Sequence, residues 1–350
     1  MLKPPVLWQH LGPALLRGGP GSPDESVTGD PCIVWDEKAD AWRMFYFGQR
    51  HERDMEKNCV MHALSDGRDG VGPGQWRKCG PIEYVNPEAL PGDAHKPYLL
   101  MDAHRPNHAA VVGGLYHLFV VIWQDGRKHV YRAKAPLLKG PWRFDAAPVI
   151  TPGEGAEFDA YHQDTVTAFY FPERAGTLLY YKGYPFVPQA DTPASPYGSR
   201  TAAAWLPDGQ PVAKKLNQVL LPGDLSTWYG GWTAGLQLIP ADGGGWWALM
   251  NASPTPPAPV SQEPNMREPA PSLGGFAYTL EAFPVSGWHF SPEPITTIEA
   301  LPPEAAALGE GVNLWRHHLL FTEGYAYLFY NSGSYGNEQM FVRRAAYAHA

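Results

Sequence analysis

Asp30-Pro31-Cys32-Ile33-Val34, followed by Trp42-Arg43-Met44-Phe45-Tyr46-Phe47, is a unit that the chain repeats. A short apolar strand leads through a turn into a second strand rich in aromatic residues. A second copy runs from Asn107 through Val111 to the strand Tyr116–Val121, and a third from Asp164 through Ala168 to Thr177–Tyr181. The fourth has Trp232–Leu238 before Trp246–Met250, and the fifth His318–Phe321 before Tyr325–Tyr330. A self-similar period of this length is the mark of a repeat architecture.

Each aromatic strand is followed by a third strand: Cys59–Leu64, His129–Ala133, Thr201–Trp205, Phe276–Leu280 and Met340–Arg344. The spacing leaves room for four short strands per unit. Radial repetition of four-stranded sheets predicts an all-β, five-bladed β-propeller, which leaves only short edges exposed. The fifth unit lacks an outer strand, and Val6-Leu7-Trp8 is the segment expected to supply it and close the ring. A β-sandwich explains the alternation but not five similar units.

Composition agrees. The 350 residues include 37 Gly and 37 Pro, which is punctuation for short strands and turns rather than long helices. No linker or charge run divides the chain, so residues 1–350 read as one domain, with Pro254–Pro271 as a long loop. A net charge of -8 without a basic stripe argues against nucleic acid. Membrane-length apolar runs and a signal-peptide pattern are absent from the sequence, and the three cysteines (Cys32, Cys59, Cys79) are too few for a disulfide framework. Those features point to a cytoplasmic protein. The thirteen histidines lack compact ligand spacing, so no metal or other cofactor is expected, although the channel could admit an ion.

In a propeller the innermost strands line a central channel, and the residues that begin them converge on one mouth. Asp30, Asn107 and Asp164 are taken as equivalent starting positions, with Gly231 or Trp232 and Trp315–His318 for the last two units. Two carboxylates brought together in a funnel are the minimum for glycosidic bond cleavage, one protonating the leaving oxygen and one activating water or attacking carbon. Asp-Pro is also ordinary strand-start turn chemistry. Asp159 reads as a surface turn residue.

The five units, Asp30-Pro31 before Trp42–Tyr46, and Asp164 before Leu179-Tyr180-Tyr181-Lys182-Gly183 resemble the five-bladed propeller glycoside hydrolases, families 43, 32, 68, 117 and 130. The stretch around Asp30 is similar to family 43, and Phe158–Gly183 to family 117. The resemblance implies Asp30 as general base and Asp164 as a pKa modulator or second catalytic carboxylate. Family 43 carries Asp at the second-unit position read here as Asn107, which shifts the charged role to Asp164. Glu310, among glycines and aromatics, is a candidate general acid if burial raises its pKa. His162 is its rival, because a histidine acid is implied for some family 117 members. Glu338 resembles an acidic residue that precedes the last strand in several such enzymes.

Asn107, His108 and His318 are candidate hydroxyl ligands, Lys182 and Arg316 candidate ligands for anionic groups, and Trp228, Trp232 and Trp315 candidate stacking platforms. Of His317 and His318 only one can face the channel, since adjacent strand residues point oppositely. The expected activity is cleavage of a terminal glycosidic bond of an oligosaccharide, with inversion, by a protein of open oligomeric state. Two alternatives remain: a phosphorylase on the same fold, which requires Arg, Lys and His beside the sugar, and a non-catalytic carbohydrate- or protein-binding propeller.

Overall fold

The computed structural model describes residues 7–52, 55–186, 198–255, 272–295, 303–307, 309–311, 313–334 and 336–347. The chain opens with β1 (Gln9–Leu15) and then builds its first sheet from β2 (Val27–Asp36), β3 (Ala41–Glu52), β4 (Met55–Ser65) and β5 (Trp76–Pro81), in that order. The second runs from β6 (Ala94–Leu99), which leads through short β7 (Met101–Asp102) and β8 (Val111–Val112), to β9 (Leu115–Gln124), β10 (Arg127–Ala135) and β11 (Arg143–Phe144). The third is β12 (His162–Phe171), β13 (Gly176–Tyr184), β14 (Arg200–Pro207) and β15 (Lys214–Leu220), with β7 added in parallel to β12. The fourth is β16 (Trp232–Pro240), β17 (Trp246–Ser253), β18 (Leu273–Thr279) and β19 (His289–Phe290). The fifth is β20 (Leu314–Thr322), β21 (Tyr325–Ser334) and β22 (Asn337–Ala346), completed by β1.

Inner strands β2, β6, β12, β16 and β20 touch in sequence and β20 returns to β2, so the sheets form a closed five-bladed β-propeller. The aromatic strands all fall on the second strand of a blade. The closing strand is Gln9–Leu15 rather than Val6–Trp8: it pairs antiparallel with β22, while Leu7 is exposed and Val6 lies outside the described residues. Most of Pro254–Pro271, between β17 and β18, also lies outside them.

The blades are apolar on both faces because each is sandwiched between two others. Cys32, Val34 and Phe45 of the first blade join a core that runs through the second, third and fourth blades. The alternate residues Ile33, Met44 and Tyr46 pack instead on Leu320, Phe329 and Val342 of the fifth. Period-2 alternation here separates one apolar interface from another, not core from solvent.

Every inner strand carries a β-bulge near its start. The pairing slips between Gly29 and Cys32, His95 and Tyr98, Asp164 and Thr167, Ala234 and Leu236, and Trp315 and His318. The first bulged residue is left-handed in all five: Asp30 (φ 54), Lys96 (53), Thr165 (50), Gly235 (58) and Arg316 (57). A bulge re-aims a side chain off the ladder, and here the five equivalent positions turn towards the channel.

The second inner strand is therefore Ala94–Leu99, not a strand beginning at Asn107. Asn107 lies beyond its far end, on the channel floor. Its Nδ2 donates to the carbonyls of Ile33 and Leu319 and its Oδ1 accepts the Phe321 N–H, so it ties the second blade to the first and fifth. Gln237 does the same from the fourth blade, accepting the Leu319 N–H and donating to the Leu319 carbonyl. Asn107→Ala strands buried backbone groups on two neighbouring strands and is expected to cost about 2–5 kcal/mol. Guanidinium unfolding of the variant beside the parent protein measures that loss.

Candidate active site

The channel mouth holds a cavity of about 40 Å³, lined by the bulged residues Asp30, Lys96, Thr165, Gly235 and Arg316, with Tyr98, Thr167 and Asn251 among the other contributors. That is room for a few water molecules. Arg316 crosses it. Its Nε lies 3.2 Å from Asp30 Oδ1 and its terminal nitrogen 3.8 Å from Asp164 Oδ1, so one guanidinium joins the first and third blades. Gly235 borders this reach on a backbone of positive φ: a Cβ there would crowd Thr165 Cγ2 at 3.1 Å and make only ordinary contact with the guanidinium at 3.8 Å.

Two asparagines set the bulges. Asn251 Oδ1 accepts the backbone N–H groups of Arg316 and His317. Asn331 Oδ1 accepts that of Asp30. Both sit on the second strand of a blade, opposite the residue before that blade's own bulge, and reach over to the next blade. Lys182 holds the same position in the third blade, opposite Asp164, and its ammonium lies over the Trp232 ring of the fourth, 4.3 Å from the centroid.

Asp30 is 8% exposed, and its Oδ2 is buried without a hydrogen-bond partner. Beside it, burial and the Asp30 charge raise the Glu338 carboxyl to about 7, against the hydrogen bonds from Asn331 Nδ2 (2.6 Å) and Gly336 N–H (3.2 Å). Glu338 therefore holds a proton into the neutral range while an ordinary glutamate does not.

Asp164 is in the opposite condition. Lys96 and Lys128 each reach its Oδ2 at 2.9 Å, and its Oδ1 accepts the Thr165 N–H at 2.8 Å. Burial pushes its carboxyl up, but Lys128, Lys96 and Arg316 outweigh that and hold it well below the usual carboxylate range. Both oxygens are engaged, so Asp164 organises cations and has no proton to give. It also precedes the bulge residue Thr165, one position off Asp30.

The two expected proton donors are placed otherwise. Glu310 bonds His10 Nε2 (2.6 Å) and the Tyr330 hydroxyl, with Arg343 at 3.9 Å. Those partners lie on β1, β21 and β22, so Glu310 fastens the outer strands of the fifth blade, about 10 Å or two strand spacings from the inner one. His162 sits at the start of β12, where burial and Lys128 lower it to about 3. Its Nδ1 accepts the Lys128 backbone N–H. A ring already neutral at pH 7 is not a general acid there.

The expected platforms are buried too. Trp228 donates to the Ser291 carbonyl and packs on Gly275, Tyr229 and Phe290 in the outer fourth blade. Trp232 and Trp315 bury each other with Ala234. His318 Nε2 accepts the Ile33 N–H and meets Asn107, which makes it a joint between blades, and it is His317 that borders the cavity. His108 lies beside Asn107 on the floor, bonded to the Pro106 carbonyl. Asp159 is buried rather than a surface turn, paired with Lys215 at 2.8 Å.

An aromatic wall stands at the rim where none was expected. Tyr161 stacks on His162 with centroids 3.6 Å apart, Trp123 meets the same ring at 4.8 Å, and Phe186 meets Tyr161 at 4.7 Å. Trp123 is 37% and Phe186 44% exposed. Lys128 links this wall to the cations, its ammonium 5.2 Å from the Trp123 centroid. Lys96 could have been found, since Lys96-Pro97 before Tyr98-Leu99-Leu100 repeats Asp30-Pro31 before Cys32-Ile33-Val34. Lys128 and the wall leave no comparable sequence signal. Among the described residues there is no group of three or more His, Cys, Asp or Glu side chains that could hold a metal ion.

No family model matches the chain, and no curated protein matches it. Solved structures do. One, described as a glycoside hydrolase, is 13% identical with a TM-score of 0.71, covering 98% of this chain and 94% of its own. Another, from the GH130 family of mannoside phosphorylases that contains glycoside hydrolases targeting β-1,2-mannosidic linkages, is 13% identical at a TM-score of 0.61, covering 97% and 94%. A third, the α-L-arabinofuranosidase of Podospora anserina in complex with cellotriose, is 10% identical at 0.57, covering 99% and 98%. The likeness shows a shared fold: the neighbours are five-bladed propellers named as glycoside hydrolases.

Two expectations concern stability. Glu310→Ala leaves His10, Tyr330 and Arg343 around a hole and is expected to cost about 3–5 kcal/mol, read as a lowered denaturation midpoint. Burial lowers His95, His317 and His318 to about 3, against 6.5 for a free side chain. The unfolded chain thus binds more protons below pH 6.5. The stability these neutral rings supply is complete above that pH and is lost as pH falls towards 3. Denaturant midpoints at pH 7, 5.5 and 4 are expected to decline in that order.

Proposed function

We propose that the protein is a glycosidase that cleaves the terminal glycosidic bond of an oligosaccharide at the channel mouth, with inversion. The observation that carries this reading is the contrast between two neighbouring carboxyls. Asp30 borders the cavity and keeps one buried oxygen unpartnered, while Glu338, outside the cavity lining but near enough to feel the Asp30 charge, is raised to about 7. Environments that push two carboxyls apart assign one as base and the other as acid.

In this mechanism Asp30 Oδ2 takes a proton from water as the water oxygen bonds to the anomeric carbon. The bond from that carbon to the leaving oxygen breaks, and the leaving oxygen takes the proton of Glu338. Arg316 holds Asp30 Oδ1 and leaves the other oxygen for the water. Trp123, Tyr161 and Phe186 offer ring faces at the rim for a sugar to stack on. The glycoside hydrolase neighbours, one with cellotriose bound, agree with a carbohydrate substrate.

The test is a hydrolysis screen of aryl glycosides and plant and algal oligosaccharides. Asp30→Asn is expected to lower turnover about 10²–10⁴-fold. For the parent protein kcat is expected to fall as pH rises through about 7 and Glu338 loses its proton. In Glu338→Gln that limb disappears together with most of the rate. Full turnover in Asp30→Asn rejects the reading, and an anomeric product retained in proton NMR rejects inversion.

A further inference from the structure

We propose that the channel mouth binds an oxyanion, either a carboxylate carried by the sugar or free phosphate, between Lys96, Lys128 and Arg316 around Asp164. The proposal rests on the glycosidase reading for its sugar and on the side-chain cluster for its charge.

The cluster is rich in positive charge. Lys96, Lys128 and Arg316 converge on Asp164, and among the described residues the only other carboxylate within ion-pair range of them is Asp30. Lys182 stands behind Asp164 on the paired strand. Three cationic side chains thus share two carboxylates. Glu338 does not restore the balance, being protonated near neutrality. Burial is the main cause that pushes Lys128 down and Lys182 well down, with the neighbouring cations adding to it and Asp164 opposing both shifts. Buried cations are costly without an anion to pair with.

The cations are also reachable. Their side chains are 22% (Lys96), 16% (Lys128) and 15% (Arg316) exposed, and Lys96 and Arg316 border the cavity. One Arg316 terminal nitrogen is buried, 3.8 Å from Asp164 Oδ1 and without a hydrogen-bond partner, so it is the exposed remainder of the side chain that a ligand meets first. A guanidinium edge beside two ammonium groups suits the paired oxygens of a carboxylate or phosphate. Lys128 adjoins both Asp164 and the Trp123 ring, so a sugar stacked on the wall would present a charged substituent to the cluster. Lys96 and Arg316 occupy left-handed backbone where Gly235, their equivalent, is unstrained. Such strain persists where the surroundings hold it, which is common at ligand sites.

The experiment is calorimetric titration of the full chain with inorganic phosphate, glucuronate, galacturonate, and glucose and galactose as neutral controls. Parent protein is compared with Lys96→Met, Lys128→Met and the conservative Lys128→Arg, each checked for native circular dichroism. The expected result is anion binding that weakens about tenfold or more in either Met variant, recovers in Lys128→Arg, and is not matched by neutral sugars. Turnover separates the sources. Release from uronate-ended oligosaccharides in phosphate-free buffer assigns the anion to the substrate, and release from neutral oligosaccharides only with phosphate assigns it to phosphate. Anion binding unchanged in both Met variants, or absent in the parent, overturns the proposal. Phosphate-independent hydrolysis of neutral oligosaccharides at an equal rate also overturns it, yet leaves the glycosidase reading intact. Anion binding without turnover of any sugar supports the anion site and removes the glycosidase.

Discussion

The left-handed bulge repeated at the head of every inner strand is the constraint on which the site depends. A regular strand in this ring would send its side chains into the blade interfaces on either side, as Ile33 and Val34 do. One extra residue in the ladder breaks that alternation and turns a side chain into the axis. Three of the five bulged residues are charged, and four carry a Cβ, which in left-handed backbone costs about 1–2 kcal/mol. The asparagines Asn251 and Asn331 hold this geometry by accepting the bulge N–H groups of the next blade. The site is thus assembled between blades and exists only when the ring is closed.

Ring closure has its own devices, and they explain where the charged and polar residues went that looked catalytic. Glu310 fastens β1 to β21 and β22 through His10, Tyr330 and Arg343. Asn107 and Gln237 stitch the floor through the backbone of β20. These are buried polar groups with their hydrogen bonds made, which is the condition for placing them inside a propeller. Residue type alone does not separate such a clasp from a catalyst, because both need burial and a partner.

The fold was legible because strand alternation, aromatic second strands and the missing fifth outer strand are local signals that recur. Asp30 was legible for the same reason, since it heads a repeat. The second blade misleads because Ala94-His95-Lys96-Pro97-Tyr98-Leu99 has charge and Pro near its start, and the more apolar stretch after Asn107 looks the better strand. A bulge makes charge and Pro compatible with an inner strand, as Asp30-Pro31 shows in the first blade. The aromatic platforms failed for a different reason: Trp228, Trp232 and Trp315 are filling for blade interfaces, and exposure of an aromatic ring depends on packing between repeats that no local pattern records.

The identity of the bulged residues also bears on what kind of ligand such a mouth accepts. Around the axis they read Asp30, Lys96, Thr165, Gly235, Arg316, so the single acid is flanked by a base on each side. A site built only to move protons at a neutral sugar has no need of Lys128 reaching in from the third strand of the second blade, nor of Arg316 spanning two blades. Those are additions of positive charge beyond what Asp164 neutralises. In a narrow, partly desolvated channel such charge attracts anions and excludes cations. It also keeps Asp164 ionised, whereas Glu338 retains a proton through burial and the Asp30 charge, with Lys96 opposing. The cations thus set the state of Asp164, burial and the Asp30 charge set that of Glu338, and Arg316 is the side chain that reaches both Asp30 and Asp164.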